Sequence, residues 1–128
     1  MNDTSPRRIH VHEVAPRDGL QMEAVFVPTD AKVAWIDHLS TRGYSKIEVT
    51  SFVSPAAIPA LLDAEEVMRR IQRVPGVEYA ALVPNARGAE RAIDGRADEF
   101  NFVLSASATH NLANLRMTQV VWRGVAQA

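Results

Sequence analysis

The sequence predicts an α/β fold built on a parallel sheet. Short apolar runs with strand-like patterning take turns with segments whose apolar residues recur at helical spacing. Strict alternation of this kind implies parallel strands joined by right-handed crossovers. The charged and polar clusters, namely Arg17-Asp18, Glu48 to Ser51, Asn85, and Ser105 to His110, all fall just after strand-like runs. Parallel α/β folds place their sites there, at the C-terminal ends of the strands.

The elements follow in order. Ile9 to Val14 reads as the first strand, and Arg17-Asp18 as a turn pinned between Pro16 and Gly19. Thr29 is the expected N-cap of a first helix, with Asp30 in its first turn and Val33, Ile36 and Leu39 as its buried stripe. Gly43 is its expected stop. Ser45 to Ser51 is the second strand, and Pro55 and Pro59 punctuate the loop after it. Leu61, Ala64, Val67-Met68 and Ile71 mark the next helix, which ends before Pro75-Gly76. Val77 to Val83 is the third strand. Ala86, Ala89 and Ala92-Ile93 mark a short helix stopped at Gly95. Glu99 to Leu104 is the fourth strand, and Ser105 to Leu115 is polar, entering a further helix.

Arg-Asp-Gly-Leu-Gln after the first strand is not the G-x-G-x-x-G turn of dinucleotide-binding folds. That favours a (β/α)8 barrel over a doubly wound sheet. A barrel takes about 250 residues; four strands in 128 residues amount to about half of one. No linker or low-complexity segment interrupts the chain.

Composition narrows the function. Hydrophobic residues make up 47%, which suits a globular domain, and 14 Lys and Arg face 15 Asp and Glu. No basic stripe suits nucleic acid. No apolar run approaches the roughly 18 residues that span a membrane, and no apolar segment follows Arg7-Arg8 as a secretory signal requires. With no cysteine, disulfides, thiolate–zinc sites and thiol catalysis are excluded within the chain. Cytoplasm is the default location.

The stretches Val11-His-Glu-Val-Ala-Pro-Arg-Asp-Gly-Leu-Gln21, Ile47-Glu-Val-Thr-Ser-Phe-Val-Ser-Pro55 and Leu82-Val-Pro-Asn85 together closely resemble hydroxymethylglutaryl-CoA lyase. The resemblance runs from about Ile9 to about Thr118. It implies a TIM barrel, of which residues 1–118 are the N-terminal half. It implies a divalent cation, Mg or Mn, and retro-Claisen cleavage of 3-hydroxy-3-methylglutaryl-CoA to acetyl-CoA and acetoacetate. By resemblance Asp18 is a metal ligand. Arg17 lies over the substrate carbonyl and stabilises enolate charge. Glu48 holds the Arg17/Asp18 region or acts as an acid/base carboxylate. The resemblance further implies that Gln21 fixes the same turn or touches substrate and that Asn114 contacts the CoA arm. The expected partner is an acyl-CoA, with no nucleic acid and no membrane; a homo-oligomer stays open.

The family's remaining ligands, a His-x-His pair and an Asn, are expected beyond residue 128, as is its cysteine-bearing loop. The tail Gln119 to Ala128 departs from the expected pattern. An early stop after a frame change near Thr118 would explain it, and Asp18 alone is expected to hold a cation weakly. Two other readings remain: a related Claisen-type synthase or carboxyltransferase, and a non-catalytic half-barrel that associates with a partner through its exposed strand edges.

Blander readings accompany several residues. Arg17 and Asp18 also suit an ordinary turn pair. Glu48 suits a barrel lumen better than an edge. His12, alone on a strand, suits a satisfied core position better than a ligand, and its role stays open. His110 reads as a solvated loop histidine, and Ser105 and Ser107 beside it lack the orienting groups of a hydrolase. Asn85 suits a helix N-cap as well as a lumen contact. Asp94, Asp98 and Glu99 read as surface charges, and Arg69, Arg70 and Arg73 as a solvated helix face.

Overall fold

The computed structural model describes residues 6–115. Four parallel strands, β1 (His12–Glu13), β2 (Lys46–Ser51), β3 (Glu78–Leu82) and β4 (Glu99–Asn101), lie side by side in the order of the chain. Between them run α1 (Ala15–Gln21), α2 (Thr29–Ser40), a 3-10 turn (Pro59–Leu61), α3 (Ala64–Arg70) and α4 (Ala86–Asp94), and α5 (Ala108–Leu115) follows β4.

The outer strands are shorter than the sequence predicts. β1 has two residues instead of Ile9 to Val14, and β4 stops at Asn101 instead of Leu104. Each has a hydrogen-bonded neighbour on one side only among the described residues, so the ladder closes only where that neighbour reaches. The supposed turn at Arg17-Asp18 is the first turn of helix α1. Pro16 suits it, because a first-turn residue has no helical partner for its N–H. Thr29 is the first residue of α2 and not its N-cap, which is Pro28; the Thr29 hydroxyl instead donates to Asp63 Oδ2 at 2.7 Å. Helix α2 ends at Ser40, ahead of Gly43. Asn85 does cap α4, its Oδ1 accepting from Gly88 N at 2.9 Å. The Pro75-Gly76 pair makes a tight turn closed by Val77 N to Val74 O at 3.2 Å, with Gly76 at a φ of +87° that its missing Cβ permits.

The two faces of the sheet differ in chemistry. On one, Ile47, Val49, Tyr79, Ala81 and Val83 meet Val33, Ile36 and Leu39 of α2, Val67 and Met68 of α3, and Ala92 of α4. Strand alternation puts every second residue on the other face. There the register aligns Lys46 with Glu78, and Glu48 with Ala80 and then Glu99. A bulge between Glu48 and Thr50 shifts the pairing so that Ser51, Leu82 and Asn101 form the next row of that face. The buried Tyr79 hydroxyl donates to Ser40 Oγ at 2.9 Å and accepts from Val74 N at 2.9 Å, so the core's one phenol is satisfied.

Four side chains read as solvated have structural partners; one is Arg70, which donates to Glu66 Oε1 at 3.0 Å and to Asp30. Asp98 accepts from Tyr79 N at 2.8 Å and lies 3.6 Å from Arg73. Arg73 also donates to Gly95 O at 3.0 Å. Glu99 bonds Lys46 across the polar face. Asp98 is exposed, as expected, and Glu99 stays partly so; what the sequence did not predict is their partners, which come from positions far away in sequence. Asp94 is exposed as expected.

Candidate active site

The site begins where β1 hands over to α1. Val14 O accepts from Arg17 N at 3.1 Å and Asp18 N at 2.8 Å, which fixes both residues on the helix's first turn at the C-terminal end of the strand. From there the Arg17 side chain turns onto β2, where its Nε donates to Glu48 Oε1. Its Nη1 donates to Asp18 Oδ1 at 3.0 Å. Arg17 Nη2 has no hydrogen bond among the described residues. Exposure grades outward along this chain: the Glu48 side chain is 8% exposed, Arg17 18% and Asp18 64%.

Burying the Glu48 carboxylate requires donors for both of its oxygens. Oε1 has Arg17, and Oε2 accepts from Asn101 Nδ2 on β4. One row nearer the strand starts, Lys46 bonds Glu99 and lies 3.4 Å from Glu78. The Glu99 hydrogen bond, with Glu78 beside it, raises the Lys46 pKa above its ordinary 10.5. The polar face is thus a ladder of charged and amide groups, where a barrel interior serving only stability would carry packed Val, Ile and Leu.

The structure therefore brings Arg17, Asp18 and Glu48 together, with Glu48 inside β2 and not after it. Gln21 lies one helical turn after Arg17 and lines a groove of about 500 Å³ with Met22, Phe26, Ile58, Pro59 and Leu62. Asn114 belongs to α5, and its side chain lies outside the described residues, as does the tail after Thr118. His12 is exposed on β1 and not in the core. His110 is on helix α5 and not in a loop; it is exposed, with Nδ1 2.9 Å from Ser105 Oγ. Asn101 was missed, although Glu99-x-Asn101 repeats the polar alternation of Lys46-x-Glu48. Also missed was Arg91, which bonds Glu65 and the carbonyls of Phe52 and Val53 over the Phe52 ring.

Among the described residues, no group of three His, Cys, Asp or Glu side chains is placed to hold a metal ion. Asp18 offers one exposed carboxylate, with Oδ1 engaged by Arg17, and both Glu48 oxygens are taken. These residues alone do not make a divalent-cation site. None of the described helices is long and apolar enough to cross a membrane.

A parallel sheet with helices on one face, a charged ladder on the other and a carboxylate–guanidinium relay from β2 to the end of β1 defines part of a (β/α)8-barrel enzyme fold. The chain belongs to the HMGL-like family, which it matches over residues 8–128. It is 52% identical over 110 residues to the hydroxymethylglutaryl-CoA lyase of Bacillus subtilis, which covers 86% of this chain and 37% of that protein. It is 43% identical over 113 residues to the mitochondrial enzyme of Macaca fascicularis, covering 88% and 35%. The HMG-CoA lyase of Acinetobacter baumannii, solved with coenzyme A and 3-methylmalate, superposes with a TM-score of 0.90 at 54% identity over 91% of this chain and 38% of that one. The Bacillus subtilis structure superposes at 0.91 with 47% identity over 95% and 41%. The chain thus spans under half the length of each of these relatives.

Proposed function

We propose that this chain carries the enolate-stabilising part of an acyl-CoA lyase that cleaves 3-hydroxy-3-methylglutaryl-CoA to acetyl-CoA and acetoacetate. The observation that carries the reading is the Glu48–Arg17–Asp18 relay, which runs from within β2 to the helix start beyond the end of β1. In retro-Claisen cleavage the tertiary hydroxyl loses its proton to a base, its oxygen becomes the ketone of acetoacetate as the adjacent C–C bond breaks, and the electron pair of that bond moves onto the thioester carbonyl as an enolate, which takes up a proton to give acetyl-CoA. Arg17, anchored through Nε and Nη1, keeps Nη2 for that oxygen, and a cation already oriented there needs no reorganisation as charge develops. Glu48 fixes the guanidinium and sets its charge against a buried carboxylate. Asp18 is the one carboxylate here placed to contribute to a divalent cation, Mg or Mn, whose other ligands would come from outside the described residues. Gln21, on the same helix face, contacts substrate from the adjoining groove. We assign Asn114 no role beyond a candidate contact to the CoA arm. We place the protein in the cytoplasm; curated relatives include both cytoplasmic and mitochondrial enzymes.

The test incubates the purified chain with 3-hydroxy-3-methylglutaryl-CoA and Mg or Mn, and measures acetoacetate. Turnover that falls by about 100-fold or more in Arg17→Gln supports the assignment. Turnover by wild type that Arg17→Gln leaves intact removes Arg17 from the mechanism. A folded wild-type chain with no turnover favours a second reading, a non-catalytic half-barrel that associates through its sheet edges. Exposed Ile9 and Val11 near β1, and Phe102, Val103 and Leu104 after β4, support that reading.

A further inference from the structure

We propose that Asn101 is a positioning residue: its Nδ2 holds Glu48 Oε2 and thereby presents Oε1 to the Nε–H of Arg17. The proposal rests on the reading of Arg17 as the group that faces the reacting carbonyl.

The sheet geometry explains why this contact exists. Glu48 is on β2 and Asn101 on β4, with β3 between them. Neighbouring strands lie about 4.8 Å apart, so the two backbones are separated by about 10 Å. Ala80 of β3 pairs with Glu48 on one side and Glu99 on the other, on the same face. Asn101 is one row further along, paired with Leu82, so its contact with Glu48 runs diagonally over β3, past the small, fully buried Ala80.

The chemistry explains why an amide suits the position. A buried carboxylate with one partner is free to rotate its second oxygen toward any donor. A neutral donor on Oε2 fixes the plane of the carboxylate without cancelling the charge that Oε1 offers Arg17. An ammonium there would compete with Arg17, and the nearby Lys46 is engaged by Glu99 and Glu78. A carboxylate would repel Glu48. Asn101 is thus matched in length, charge and hydrogen-bonding sense, and it acts on the reaction only through Glu48 and Arg17.

The experiment uses the full chain, labelled with nitrogen-15, and follows arginine Nε–H signals by NMR. In Asn101→Leu, which keeps the side-chain shape, exchange of the Arg17 Nε–H with water is expected to quicken about 10- to 100-fold. The Arg91 Nε–H, bonded to Glu65 on the opposite face, is expected to keep its wild-type rate and report an intact fold. An unchanged Arg17 rate with Arg91 intact overturns the proposal. Should Asn101→Leu lose the Arg91 signal as well, Glu48→Gln decides: the Asn101 side-chain amide signals are expected to shift, and signals that stay in place overturn it. In a chain that turns over substrate, Asn101→Leu is expected to lower kcat about 10-fold or more with KM within about twofold. Absence of turnover in wild type would count against the lyase reading while leaving the NMR outcome to decide the role of Asn101.

Discussion

Replacing Lys32 with methionine removes the cation from a cluster that water barely reaches. Lys32 Nζ donates to Asp63 Oδ1 at 2.6 Å and to Ala60 O at 2.7 Å, and sits 4.2 Å from the Phe26 ring centroid. The two charged side chains are 2% and 5% exposed. Methionine approximates the shape of the lysine stem, so the packing cost is small and the loss is electrostatic. Asp63 would keep only the Thr29 hydroxyl, at 2.7 Å on Oδ2. Stranding one member of a buried pair costs about 3–5 kcal/mol, out of a total stability of about 5–15 kcal/mol. That corresponds to a Tm fall of roughly 10–25 °C for a domain of this size. The assay is urea unfolding followed by far-UV circular dichroism, with Trp35 on α2 as a local probe. The same argument requires the double variant Lys32→Met/Asp63→Leu to recover most of the loss, because no charge is then left buried. A single variant within about 1 kcal/mol of wild type, or a double variant as damaged as the sum of both singles, would refute the reasoning.

Further outcomes follow from the same contacts. The Arg91 Nε–H bond holds the Glu65 carboxyl below its ordinary value of 4.5. A folded value below the unfolded one stabilises the protein above the unfolded value, and that stability is lost as pH falls through the folded value. The stability difference between wild type and Arg91→Leu is therefore expected to shrink as pH drops below about 4.5, and a difference constant from about pH 7 to pH 3 would contradict the pairing. Gly88→Ala would place a Cβ 2.9 Å from Pro84 Cδ and 3.0 Å from Phe52 O. It is expected to cost about 1–3 kcal/mol in thermal unfolding; an unchanged Tm would show that the α4 start yields without strain.

The alternation of strand and helix was legible because each segment carries its own period. Ile47 and Val49 had to face one way and Lys46 and Glu48 the other whatever the rest of the chain did. The Asn85 cap was legible for a similar reason, since its partner Gly88 lies three residues away. The helical state of Arg17-Asp18 was not. Pro16 and Gly19 suit a turn equally well, and contact of α1 with β2 decides between them.

From the sequence alone came the fold class, the placement of Arg17 and Asp18 after a strand, and the family resemblance, because these depend on local period and on short motifs. Tertiary structure alone decided what those residues touch. Asn101 reaches Glu48 from 53 positions away, Lys46 finds Glu99 at the same separation, and Lys32 meets Asp63 across 31. No local pattern encodes such pairs. The two strand pairs exist because parallel pairing brings β2 and β4 to either side of β3, where the small Ala80 lies beside Glu48, and Lys32 meets Asp63 because α2 packs against α3.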